Sequence, residues 1–111
     1  KLTLKKLTIK KNNKGGLQYH HKKNECGYLI KGVLKIKFDL GDGIIRTKIL
    51  KKGDIFHFPP GLVHQEIAIT KCEIIEASTP HFNDRVRVEK KYGLKVDKGL
   101  PSTSIKQVKF L

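Results

Sequence analysis

A chain of 111 residues carrying a formal net charge of +14 is long enough for one modest core and too short for two. It contains no apolar run approaching the roughly 18 residues of a membrane helix and no basic-then-apolar leader, so membrane insertion and secretion are set aside. Nor does the charge describe a nucleic-acid reader. Only Arg46, Arg85 and Arg87 are arginines, whereas readers of bases lean on the arginine fork and on aromatics interleaved with basic residues. The lysines instead alternate with apolar residues, as in LTLKKLTIKK and VLKIKF, the pattern of a solvated strand face. Such a field attracts anionic small molecules. Cys26 and Cys72 form no CxxC pair and no disulfide framework, which predicts reduced thiols in a cytoplasmic protein. The chain has no Met, which predicts a native N-terminus further upstream.

In chain order, residues 2–10 alternate as strand, and Asn12 to Gly16 is a turn cluster. Gln18 to Leu29 reads as strand, turn, strand. Val33 to Leu40 alternates Leu34, Ile36, Phe38 and Leu40 against Lys35, Lys37 and Asp39, and ends in a Gly-Asp-Gly hairpin signal. Ile44 to Leu50 returns as its partner, and Ile55 to Phe58 is a short strand stopped by Pro59 and Pro60. His64 to Ile69 and Cys72 to Ala77 form the last clear pair. Short strands at this spacing, with Gly- and Pro-marked turns and almost no helical period, predict an all-β sandwich or small barrel. Pro80 to Gly93 supports a short helix or an extended segment equally. In the tail from Leu94 to Leu111, SIKQVKF has strand character. The expected division is residues 1–93 as the barrel domain with its C-terminal segment, and 94–111 as a tail.

Strand alternation sets Gln18 and His20 side by side on one face. Glu25 follows a polar, turn-like Lys-Lys-Asn segment, and His64 comes just after a Pro-Pro-Gly turn. Two nitrogens, one carboxylate and one amide oxygen around a common interior form a donor set for a divalent metal. Zinc, nickel, manganese and iron all suit mixed nitrogen and oxygen ligands. Glu66 shares parity with His64 and is a candidate base; its alternative is an exposed strand glutamate, and Glu76 has the same ambiguity. His57, before the proline turn, faces either way and is the second candidate base. His21 and Cys26 point away from the site by parity. Lys22 and Lys23, beside the first strand, are placed to meet an anion. Arg87 is either an ion-pair partner of Asp84 or the bidentate holder of a substrate phosphate.

The spacing Gln18, His20, Glu25, Gly32 resembles the first motif of the cupins, and Gly53, Pro59, Gly61, His64 resembles the second. Within the cupins, Leu17 to Glu25 is similar to the LQxHHxxxE pattern of type II mannose-6-phosphate isomerases. Asp84, Arg87, Glu89, Tyr92 and Gly93 resemble the ending of that branch. The resemblance implies a small cupin β-barrel, a double-stranded β-helix or jelly roll, with Gln18, His20, Glu25 and His64 as metal ligands. It implies an isomerase or epimerase of carbohydrate metabolism acting on a sugar phosphate or nucleotide-linked sugar. Catalysis then falls to Glu66 or His57, and anion recognition to Arg87 and Lys22. Two alternatives belong to other classes: a sugar- or small-ligand-binding module without turnover, and an iron-dependent dioxygenase. Exposed strand edges and apolar faces point to a homodimer.

Overall fold

The computed structural model describes residues 1–102 and 104–109. Among the described residues nine strands follow in order: β1 (Thr3–Ile9), β2 (Gln18–His20), β3 (Glu25–Lys31), β4 (Val33–Asp39), β5 (Ile45–Lys51), β6 (Ile55–Phe58), β7 (Val63–Ala68), β8 (Cys72–Ser78) and β9 (Arg85–Arg87). They form a four-stranded sheet, β1-β8-β3-β6, and a five-stranded sheet, β5-β4-β7-β2-β9. Every pairing within them is antiparallel. This is the two-sheet, all-β architecture of a small cupin barrel.

Alternation decides what each sheet sends inward. In the four-stranded sheet, Leu7 lies opposite Ile74, and Ile74 opposite Leu29. With Ile9 and Cys72 they make one end of the interior apolar, against Leu34, Leu50 and Ala68 of the facing sheet. Toward the other end the inward rows turn polar. Thr3, Ser78, Glu25 and Phe58 lie in one row, and Lys5, Glu76, Gly27 and Phe56 in the next. The facing sheet matches this, since Phe38, His64 and Gln18 are in register and Ile36 lies opposite Glu66. The apolar end provides the cohesion, and the polar end becomes a site.

Two glycines are required by close approach. At Gly27 a Cβ would fall 2.2 Å from the Phe56 ring, which lies directly over the backbone. Gly32 has φ +97°, and its Cβ would fall 2.2 Å from the Lys71 carbonyl oxygen. Gly32→Ala therefore combines backbone strain with a clash against main chain. It is expected to lower stability by about 2–4 kcal/mol, seen as a drop in urea midpoint at unchanged slope; an unshifted midpoint would contradict the crowding.

After β8 the chain uses both options that the sequence allows. Arg85–Arg87 is a strand, and Glu89–Tyr92 is a 3₁₀ turn closed by Gly93 in the left-handed region. The β-like reading of SIKQVKF is corrected: Ile105–Gln107 is a 3₁₀ turn capped by Ser104, and Phe110 lies outside the described residues. Earlier in the tail, Leu100 packs against the core cluster.

Candidate metal centre

Three functional side chains converge from the two sheets. His20 ends β2 and His64 lies on β7, both in the five-stranded sheet, while Glu25 opens β3 in the other. Their ligand atoms all lie within 4.8 Å of one another, and all three residues are buried. Glu25 Oε1 is 3.4 Å from His20 Nε2 and 3.6 Å from His64 Nε2. Gln18, paired directly with His64 across the strands, brings its amide to the same cavity.

The backbone builds this convergence. The Gly61 amide donates to the His20 carbonyl at 2.8 Å, tying the Pro-Pro-Gly turn to β2. At the start of β3, Thr79 N donates to Asn24 O, and Asn24 N to Thr79 Oγ1, each at 3.0 Å. The His64 ring stacks on Phe58, with centroids 3.9 Å apart and planes 15° from parallel.

The far side of each imidazole is occupied by an acceptor. His20 Nδ1 lies 3.0 Å from Asp84 Oδ1, and His64 Nδ1 lies 2.9 Å from the Leu62 carbonyl. A carboxylate and a carbonyl only accept, so each Nδ1 carries the proton and donates. In the neutral tautomer that arrangement turns both Nε2 lone pairs toward Glu25. Gln18 Oε1 is sealed from solvent and has no hydrogen-bond partner. Four acceptors brought together in a buried space need shared positive charge. The donor set fits a divalent cation with mixed nitrogen and oxygen ligation.

The surrounding charges act unequally on the carboxyls. Burial pushes Glu25 upward, but hydrogen bonds from the His20 and His64 rings, given when the rings carry both protons, and the Lys23 ammonium together hold it far below the usual carboxylate range. Burial, then the charges of Glu76 and Glu25, push Glu66 well above that range. Burial and Glu25 raise Glu76 to about 7, against the opposing pull of Lys5. Glu66 Oε2 is the second sealed oxygen without a partner. Both glutamates line the same cavity of about 580 Å³ as Gln18, His20, Glu25 and His64.

The structure places the remaining candidates elsewhere. His57 lies on the outer face of β6, in register with Cys26, and its Nε2 is 2.6 Å from Asn24 Oδ1. It does not line the cavity. Lys22 is exposed and does not line it either, whereas Lys23 does, with Nζ 3.6 Å from Glu25 Oε2. Arg87 is not paired with Asp84. Its guanidinium grips Glu89 through both Nε and Nη2, and Nη2 also donates to the Asp97 carbonyl at 2.8 Å. Asp84 instead accepts from the Lys22 and Lys23 amides at 2.8 Å each while orienting His20. As expected from parity, His21 and Cys26 are exposed. Cys26 and Cys72 are both free thiols.

Comparison with known proteins agrees with this fold. No curated protein matches the chain. Its structure is similar to the capsular polysaccharide assembling protein CapF from Staphylococcus aureus, with 21% identity over 77% of this chain and a TM-score of 0.67. The match covers 27% of CapF, so this chain spans about a quarter of that protein. An RmlC-like cupin from Shewanella frigidimarina is 26% identical over 75% of this chain and 69% of its own, with a TM-score of 0.60. Oxalate oxidase in complex with the substrate analogue glycolate is 19% identical over 79% and 46% of the two chains, with a TM-score of 0.65. Residues 6–81 match the model of the cupin domain. With both motifs folded into one buried cluster inside a two-sheet barrel, the chain belongs to the cupin domain family.

Proposed function

We propose that the chain is a metal-dependent sugar isomerase or epimerase of carbohydrate metabolism, resembling type II mannose-6-phosphate isomerases and acting in the cytoplasm on a sugar phosphate or nucleotide-linked sugar. The observation that carries this reading is Glu66 Oε2, an unpartnered, sealed carboxyl oxygen in the same cavity as the His20, Glu25 and His64 cluster. The similarity to a protein of capsular polysaccharide assembly and to an RmlC-like cupin supports a sugar-related ligand. Gln18, His20, Glu25 and His64 would hold the ion, be it zinc, nickel, manganese or iron, and Asp84 would keep the His20 ring in place. A divalent ion held there supplies Lewis-acid polarisation of a substrate oxygen.

The proton work falls to Glu66. Its raised affinity for a proton, set by burial and by the charges of Glu76 and Glu25, favours the neutral acid over a buried anion. It can thus give a proton as acid and take one back as base. His57 has no part in this, because it faces the opposite side of its sheet.

The test is deuterium wash-in from D2O at the sugar carbon next to the carbonyl, followed by NMR with the metal-loaded chain and a panel of sugar phosphates. Wild type is expected to exchange, and Glu66→Gln to retain metal while exchanging at least about 100-fold more slowly. Saturable sugar binding by the metal-loaded wild type without any wash-in would instead establish a binding module without turnover.

A homodimer is part of the same proposal. The outer face of the four-stranded sheet carries Leu4, Ala77 and Cys26 in one row and Ile75, Tyr28 and Ile55 in the next. Leu4 and Ile55 are 73% and 74% exposed, and a second copy would cover them. A monomeric mass by sedimentation would remove this part of the proposal.

A further inference from the structure

We propose that the cavity receives a doubly charged anion on Lys23 and Arg85, and that Lys23 couples anion capture to metal binding through its ion pair with Glu25. The inference rests on the reading of Gln18, His20, Glu25 and His64 as a divalent-metal centre.

Lys23 and Arg85 both line the cavity. The Lys23 side chain is only 14% exposed, and its ammonium meets Glu25 Oε2 at 3.6 Å. Its amide is fixed by Asp84 at 2.8 Å. Arg85 lies opposite His20 in the β2–β9 pairing. Its Nη1 donates to the Leu100 carbonyl at 3.0 Å, and among the described residues its other guanidinium N–H groups have no partner. Arg87, by contrast, is consumed by Glu89 and by tail carbonyls.

Charge balance points to the ligand. Among the buried and half-buried wall residues, Lys5, Lys23 and Arg85 stand against Glu25, Glu66 and Glu76, and because burial favours the neutral forms of Glu66 and Glu76, the wall leans positive. A divalent ion adds two positive charges, which a dianion such as a phosphate ester neutralises. Coupling follows from the sharing of Glu25. When its carboxylate serves an ion, the largely buried Lys23 ammonium loses the charge that offsets it and gains more from an arriving anion. By linkage the anion then tightens the metal by the same factor.

The experiment titrates inorganic phosphate calorimetrically into the full chain, metal-free and nickel-loaded, with sulfate as a second dianion. Wild type is expected to bind phosphate about tenfold or more tightly when loaded. Lys23→Gln should still take up nickel but lose most of that ratio, and Lys23→Arg should recover it. Arg85→Gln should weaken phosphate binding in both forms, and Lys22→Gln should change neither. A wild-type ratio in Lys23→Gln, or phosphate binding by wild type indifferent to nickel, overturns the coupling while leaving the metal centre standing. A wild-type chain that takes up no divalent ion overturns the metal reading and this inference with it.

Discussion

Glu25→Gln is expected to weaken divalent-metal binding by more than about 100-fold, beyond the 10- to 100-fold typical of outer-shell changes. Glu25 is the one anionic donor in the cluster, and its Oε1 is the atom that both imidazole Nε2 atoms approach. His64→Ala removes a nitrogen donor and should behave alike. Asp84→Asn should fall in the milder range, because Asp84 acts on the ion only by holding His20 Nδ1. Calorimetric titration orders the series. Stability provides an independent readout, since an ion that binds only the folded chain adds about 2.7 kcal/mol at a free concentration one hundred times its dissociation constant. Wild type should melt higher with metal present. Glu25→Gln should not respond at the same concentration, and an equal response would remove Glu25 from the ligand set.

Arg87→Ala is expected to cost about 3 kcal/mol of stability without altering metal affinity. Glu89 is 4% exposed, and apart from Arg87 its carboxylate receives, among the described residues, the Leu17 amide at 3.3 Å and its own main-chain amide. Removing the guanidinium strands a buried charge, which costs more than an intact pair contributes. In a chain of this size the melting temperature should fall by about 10–20 °C. The pH dependence has a defined sign. Burial raises the Glu89 carboxyl, but the Arg87 hydrogen bonds and charge overcome this and leave it below its usual value. A carboxyl depressed in the folded state contributes stability above its unfolded value and loses it as pH falls through the folded one. The deficit of Arg87→Ala should therefore be full at neutral pH and narrow under acid conditions. Replacing Arg87 and Glu89 together by apolar residues should restore part of the loss. A deficit that is unchanged on acidification would contradict the buried-charge explanation.

Most of the barrel was legible because its strands are amphipathic with period two. The Val33 to Leu40 alternation became β4, and the Gly-Asp-Gly signal became the turn into β5, where Asp39 Oδ1 accepts from the Gly41 and Gly43 amides. The same periodicity correctly set His20 beside Gln18, Glu66 beside His64, and Cys26 away from Glu25. What parity cannot reach are segments without a regular period. Between His20 and Glu25 the chain bends, so nothing local says that Lys23 rather than Lys22 turns inward. The side that His57 takes is set by the β3–β6 register, a non-local pairing. An ion pair between Asp84 and Arg87 requires helical spacing, but Arg85–Arg87 is a strand. There, residue 84 reaches the first-motif turn while residue 87 turns to Glu89. The role of Asp84 as the group orienting His20 had only one signal in the sequence, its place among the residues from Asp84 to Gly93 that carry the family resemblance.

The four-donor centre is tested most directly by X-ray absorption fine structure on the chain loaded with one equivalent of nickel. The account predicts a single class of ion with two imidazole nitrogens and oxygen donors, and loss of one imidazole contribution in His64→Ala. Sulfur in the first shell, or a wild-type spectrum unchanged by His64→Ala, would contradict it.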